Sequence, residues 1–184
     1  VAMLSYSTGA SGSGTDVQKV VEACHAIDIP VEAEIGKIGG AEEHVVVSEK
    51  EATMTDPEEA VRFVEDGGFD FLAVAIGNAH GFYKGEPELD FDRLEAIRDA
   101  VPVPLVLHGA SGIPDHQITK AVKRGICKIN IDTEVRNAFA QTVKTFQKEN
   151  PDVIDPRKIL GPAMDAMQEV VEHKIEIFRS AGRA

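Results

Sequence analysis

Leu105-Val106-Leu107-His108-Gly109-Ala110-Ser111-Gly112 is the stretch that decides the fold. Three aliphatic residues run without a polar break into a histidine and then into a turn of small residues. Unbroken apolarity fits a strand covered on both faces, as in a parallel sheet, better than a half-exposed strand with alternating polarity. The same composition recurs outward along the chain, so strands are predicted at residues 1–5, 31–35, 71–76, 105–107 and 127–131. Between them the apolar positions recur at spacings of three and four: Val17, Val20 and Val21; Ala60, Val61 and Val64; Phe91, Leu94 and Ile97; Ile118, Ala121 and Val122. Strand–helix alternation of this kind is the α/β signature. Asp56-Pro57-Glu58-Glu59 marks one helix start with a capping side chain, a first-turn proline and acids facing the helix dipole. Residues 155–178 are predicted to form one or two amphipathic helices whose apolar stripe, Met164 and Met167 included, is expected to be core.

The chain has 184 residues, 43% hydrophobic and 27% charged, which predicts one soluble domain spanning residues 1–184. Its formal net charge of −12 argues against nucleic acid or an anionic membrane surface as the main partner, although backbone N–H groups could still hold a small phosphorylated ligand. No apolar run approaches the roughly 20 residues of a membrane span and no signal-peptide core is visible, so a cytoplasmic location is expected. The two cysteines, Cys24 and Cys127, form no CxxC pair, which excludes a disulfide scaffold or a cysteine-rich zinc finger.

Chemistry gathers where the predicted strands end. Val31-Glu32-Ala33-Glu34-Ile35-Gly36, Ile76-Gly77-Asn78-Ala79-His80-Gly81, Leu107-His108-Gly109-Ala110-Ser111-Gly112 and Asn130-Ile131-Asp132-Thr133 each pass from an apolar run into small, polar or histidine-containing turns. The C-terminal ends of parallel strands share one face, so Glu34, His80 and His108 are expected to converge. Two imidazoles and a carboxylate are ligand types that suit zinc, with Glu34 either a ligand or a partner that orients one. Gly109-Ala110-Ser111-Gly112 and Asn130-Ile131-Asp132-Thr133 are also the small-residue turns on which a phosphate can approach backbone N–H groups. Ser111 and Thr133 could add hydroxyl donors, while Asp132 could hold a substrate hydroxyl or cap the next helix. Lys84 could bring a positive charge to the phosphate or stand as a solvated loop lysine. His25, His44, His116 and His173 are expected at the surface.

From about Val17 to the C-terminus, through 31–40, 73–77, 105–112 and 125–130, the sequence resembles the class II, zinc-dependent ketose-bisphosphate aldolases of the fructose- and tagatose-bisphosphate type. The resemblance implies a TIM (β/α)8 barrel, here incomplete with about five βα units, matching the C-terminal part of an aldolase. It implies zinc as cofactor, with a monovalent cation as a candidate second ion, and His80 and His108 as two of the zinc ligands. Glu34 matches a glutamate that some members use for a shifted zinc position. Gly81, Lys84, Gly109, Ala110, Ser111, Asn130, Ile131, Asp132 and Thr133 would grip the dihydroxyacetone phosphate part of a phosphorylated ketose substrate. A homo-oligomer is expected.

The sequence also departs from that family. No Asp-His pair, the source of the family's third zinc histidine and proton-transfer acid, precedes Glu34; Asp115-His116 is the only such pair and lies in a different place. No catalytic acid or base is therefore identified. Asn78 stands where the family usually has threonine. Residues 1–24 instead resemble a phosphotransacetylase segment, so the chain's opening reads either as a splice of two sequences or as convergence on a strand, Gly/Ser loop and helix, and Val1 is compatible with an excised piece or a processed terminus. Two other functions follow: a non-catalytic phosphosugar-binding subunit or engineered half-barrel, and an acetyl-transfer activity based on the opening segment.

Overall fold

A computed structural model describes residues 14–42, 45–47, 52–81, 83 and 85–183, with the side chains of 41–42 and 45–47 excepted. The chain divides into two compact units, Val1–Asn130 and Ile131–Ala184. The first runs α1 (Thr15–His25), β1 (Glu32–Ile35), β2 (Gly40–Glu42), β3 (Val45–Val47), α2 (Pro57–Gly67), β4 (Phe71–Val74), α3 (Phe91–Ala100), β5 (Leu105–Leu107), α4 (Asp115–Lys123) and β6 (Ile126–Ile129). Strands β1, β4, β5 and β6 pair in that order, all parallel. The strand expected at residues 1–5 lies outside the described residues. The connection after β1, expected as a loop, contains the antiparallel hairpin β2–β3; its β-branched run Val45-Val46-Val47 favours extended backbone.

Local signals account for the element boundaries. Helix α2 starts where Asp56 Oδ1 accepts the N–H groups of Glu58 and Glu59, both at 3.0 Å. It ends at Gly68, whose left-handed backbone (φ 64°) lets its N–H reach the Val64 carbonyl. Strand β4 stops at Val74, two residues before its apolar run does. There Ala75 N–H donates to Thr55 Oγ1 and Ile76 N–H to Asn78 Oδ1, so side-chain oxygens replace the strand ladder.

Burial on both faces holds for the central strands, where Leu72, Val74, Leu105, Val106 and Leu107 are all buried. It fails at the outer strands: Cys127 and Lys128 of β6 are exposed and most of β1 is half-buried, because among the described residues each of these strands has a neighbour on one side only. Helix α3 packs Leu94 and Ile97 into the core, and α4 adds Ile118 and Ala121. At the other side, Val17 and Val21 of α1 form a smaller cluster with Phe69.

Register assigns the sheet's faces. Glu32 lies opposite Phe71, Glu34 opposite Ala73, Ala73 opposite Val106 and Val106 opposite Lys128. Side chains alternate along a strand, so Glu32, Glu34, Ala73, Val106 and Lys128 share one face, and His108 follows two residues after Val106. Toward the C-terminal end of this face the central strands present only Ala73 and Val106, and the longer polar side chains of β1 and β6 meet beside them.

The second unit is a helical pair, α5 (Thr133–Glu149) packed along α6 (Pro156–Ile177). Residues 155–178 thus form one helix, which passes through Pro162 with the loss of a single ladder hydrogen bond. The expectation that its apolar stripe is core is not met: Met164 is 63% exposed, and Leu160, Val171 and Ile175 are at least 40% exposed. One partner helix covers only part of so broad a stripe. Ala163 is buried, and so is Lys174, whose ammonium pairs with Glu134 at 2.9 Å.

Candidate active site

His108 sits just past the end of β5 with a carboxylate on each ring nitrogen. Nδ1 is 2.5 Å from Glu34 Oε2 and Nε2 is 2.9 Å from Glu32 Oε1. The other oxygen of Glu32 accepts from Lys128 Nζ at 2.7 Å, and the same ammonium donates to Asn130 Oδ1 at 2.9 Å. Burial pushes the His108 imidazole toward the neutral form, but the hydrogen bonds to Glu32 and Glu34 outweigh it and raise its pKa from 6.5 to about 9. Burial likewise works to raise the Glu32 carboxyl, yet the bonds from His108 and Lys128 hold it below its usual range. The His80 ring lies 6.3 Å from that of His108, centroid to centroid. Glu34, His80 and His108 therefore come together at the strand ends.

The turns that carry the two histidines are bonded to each other. Asn78, only 5% exposed, accepts the Ile76 N–H and donates from Nδ2 to the His108 carbonyl at 2.9 Å. The Tyr83 hydroxyl accepts the Ala79 N–H at 2.7 Å and donates to the Gly109 carbonyl at 2.8 Å. Burial raises the Tyr83 phenol above its ordinary value of 10, so it remains protonated at neutral pH. On the other side His80 N–H donates to the Gly39 carbonyl at 2.7 Å. Two glycines make these approaches possible. A Cβ on Gly40 (φ 110°) would stand 2.1 Å from the His80 carbonyl oxygen, and one on Gly109 (φ 59°) 2.4 Å from that of Ala79.

Residues 15–183 match the class II fructose-bisphosphate aldolase family. The chain belongs to that family. Among solved structures it is similar to the YdjI aldolase from Escherichia coli K12, at 42% identity and TM-score 0.74 over 91% of this chain and 56% of that one. A protein provisionally named fructose-1,6-biphosphate aldolase from Coccidioides immitis is 33% identical, with TM-score 0.79 over 91% of this chain and 58% of that one. Fructose-bisphosphate aldolase from Campylobacter jejuni is 25% identical, with TM-score 0.71 over 96% of this chain and 59% of that one. The chain thus spans less than three-fifths of the length of each of these relatives. Its parallel strands and covering helices are part of the aldolase barrel, incomplete as the sequence resemblance implies.

The other residues singled out in this member of the family fall as follows. Gly81 follows His80 with φ 87° and a Cβ there would meet nothing within 4 Å; Lys84 lies outside the described residues. Gly109, Ala110 and Ser111 form the turn after β5, with Ala110 and Ser111 buried. Asn130 N–H donates to the Leu107 carbonyl and ends the first unit. Ile131, Asp132 and Thr133 open the second unit, where Thr133 begins α5. The Asp132 side chain does not cap α5: it pairs instead with Arg136, one turn on, at 2.7 Å. Asp115 and His116 are exposed in the first turn of α4, and His116 lines a separate cleft of about 450 Å³ with Leu89, Phe91 and Lys120. His25 bonds Asp70, which also accepts the Val31 N–H.

Sequence reasoning passed over Glu32 and Lys128. Their signal was periodicity: Glu32 stands two residues before Glu34, and Lys128 two before Asn130, each pair on one face of its strand.

The donor set fits zinc in chemistry, since imidazole nitrogen and carboxylate oxygen are its common ligands. With Zn–N bonds of about 2 Å, a tetrahedral ion joins two imidazoles whose centroids are about 5 Å apart, so the pair would close by about 1 Å. Among the described residues no group of three His, Cys, Asp or Glu side chains is already gathered for a metal. His80 and His108, with Glu34 alongside, are the residues that would hold the ion.

Proposed function

We propose that this chain is the part of a zinc-dependent ketose-1,6-bisphosphate aldolase that supplies two zinc ligands and the phosphate grip. The reaction is cleavage of the C3–C4 bond of fructose or tagatose 1,6-bisphosphate to dihydroxyacetone phosphate and glyceraldehyde 3-phosphate. The observation that supports it best is the meeting of Glu34, His80 and His108 at one end of a parallel sheet, beside glycine turns of the kind that admit a phosphate. When bound, zinc supplies the positive charge that polarises the ketose carbonyl. His80 and His108 hold that ion. Gly81, Lys84, Gly109, Ala110 and Ser111 in the first unit, and Asn130 before Ile131, Asp132 and Thr133 of the second, are the proposed substrate contacts.

Asn78 and Tyr83 keep the two histidine turns at fixed separation, which limits the reorganisation that ligand binding requires. The acid or base for the C4 hydroxyl proton is not among these residues. A homo-oligomer belongs to the proposal and is supported by the exposed apolar stripe of α6. The test is cleavage of each bisphosphate by the purified chain, with zinc and with a chelator, alongside dihydroxyacetone phosphate binding. Chelator-sensitive cleavage supports the aldolase assignment for this chain itself. Phosphate-ester binding by folded protein without cleavage transfers it to a non-catalytic phosphosugar-binding subunit.

A further inference from the structure

We propose that Glu32, braced by Lys128, is a positioning residue that holds the Nε2–H of His108 and so leaves Nδ1 as the nitrogen that faces the metal. The inference deepens the zinc assignment above and rests on it. Both ring nitrogens of His108 are occupied by carboxylates, Glu34 on Nδ1 and Glu32 on Nε2. A metal ion needs one nitrogen free of its proton, and the other characteristically keeps a carboxylate or carbonyl that fixes ring orientation and tautomer. One of the two glutamates must therefore give way.

The bonding around them shows which. Glu32 has both oxygens engaged, one by His108 and the other by Lys128, and Lys128 is itself held by Asn130. Withdrawing Glu32 would break two charge-assisted hydrogen bonds and leave the Lys128 ammonium without its counter-charge. Among the described residues, Glu34 makes only the bond to His108 through its carboxylate, and it is the more exposed of the two, at 32% against 24% for the side chains. Moving aside costs Glu34 that one bond, and a carboxylate standing beside a vacated Nδ1 is placed to become a ligand of the same ion.

The experiment measures zinc affinity by competition with a chromophoric chelator for the wild type, Glu32→Ala, Glu32→Gln and Lys128→Met. In parallel, ¹⁵N NMR of the histidine rings in the zinc-loaded protein reports which nitrogen of His108 keeps its hydrogen. The expected spectrum shows a protonated Nε2 and a metal-bound Nδ1. Glu32→Ala should weaken zinc binding about 10- to 100-fold, with partial rescue in Glu32→Gln, whose amide oxygen can still accept the N–H. Lys128→Met should move affinity the same way by less, and it serves as the test if Glu32→Ala does not fold. A zinc-loaded wild type with metal on Nε2, or a Glu32→Ala affinity within twofold of wild type, overturns the proposal while the zinc assignment stands. A folded wild type that binds no zinc overturns both.

Discussion

Tyr83→Phe removes one oxygen and leaves the ring in place, so it tests the bridge between the two histidine turns without opening a cavity. That oxygen accepts the Ala79 N–H at 2.7 Å and donates to the Gly109 carbonyl at 2.8 Å. Its loss leaves an amide and a carbonyl short of a partner, each costing about 1–3 kcal/mol where water cannot replace it. Ala79 and Gly109 are only half-buried, so water recovers part of the loss and the low end applies, about 2–3 kcal/mol in total. The assay is urea unfolding of the metal-free protein at neutral pH, with Tyr83→Phe expected to lower the midpoint at unchanged slope. Hydrogen exchange supplies a local readout: the Ala79 amide should exchange faster, and amides in the middle of α3 should not. A stability loss below about 0.5 kcal/mol, with Ala79 protection intact, would show that the bridge carries no energy and that the Asn78–His108 bond and the close approach at Gly109 hold the turns together.

Four further outcomes are expected. His108→Ala should abolish most zinc binding and His173→Ala should leave it unchanged; equal effects in equilibrium dialysis would sink the metal assignment. Ser111→Ala should weaken dihydroxyacetone phosphate binding more than zinc binding, and unchanged phosphate-ester affinity in calorimetry would refute its role in the grip. Gly109→Ala, which sets a Cβ 2.4 Å from the Ala79 carbonyl oxygen at a positive φ, should cost more than about 2 kcal/mol or prevent soluble expression. In metal-free protein, His108 binds its proton more tightly folded than unfolded, because its pKa rises from 6.5 to about 9. The stability from that proton is therefore fully present below pH 6.5 and lost as pH climbs through about 9. The gap sets a ceiling of about 3 kcal/mol. A stability curve no steeper across this range than that of His108→Gln would contradict the sign.

The sheet was legible in the sequence because its central strands are buried on both faces, so Phe71 to Val74 and Leu105 to Leu107 stand out as apolar runs. What stayed hidden follows from three physical causes. Strand β4 stops short of its apolar run because Thr55, far away in sequence, supplies the oxygen that ends the ladder, and no local pattern announces a partner 20 residues back. Hairpin β2–β3 is only three residues on each side, too short for alternation to register. The exposure of the α6 stripe depends on how much of it α5 covers, and periodicity states only that an apolar face exists. For the site, βα spacing located Glu34, His80 and His108, since strand ends share a face by topology. The roles of Glu32 and Lys128 depend on a contact between the first and fourth strands of the sheet, which appears only when register is known.

The His108 surroundings argue for a cation more strongly than its geometry alone does. A histidine that merely anchors a strand end needs one acceptor. Here Glu32 and Glu34 place two negative charges on one ring, and among the described residues they pair with His108 itself and with Lys128, which bonds Glu32 alone. With His108 neutral, the cluster is short one positive charge in a partly buried setting, where unbalanced charge is expensive. In the metal-free chain a proton fills the deficit, which is why the imidazole stays charged up to about pH 9 against the pull of burial. Glu32 on Nε2 makes the ring a more basic and better-oriented ligand, and the negative potential of the two carboxylates that retains a proton also favours a dication in its place. The raised pKa and the proposed zinc site are thus two consequences of one charge imbalance, and removing Glu32 should diminish both.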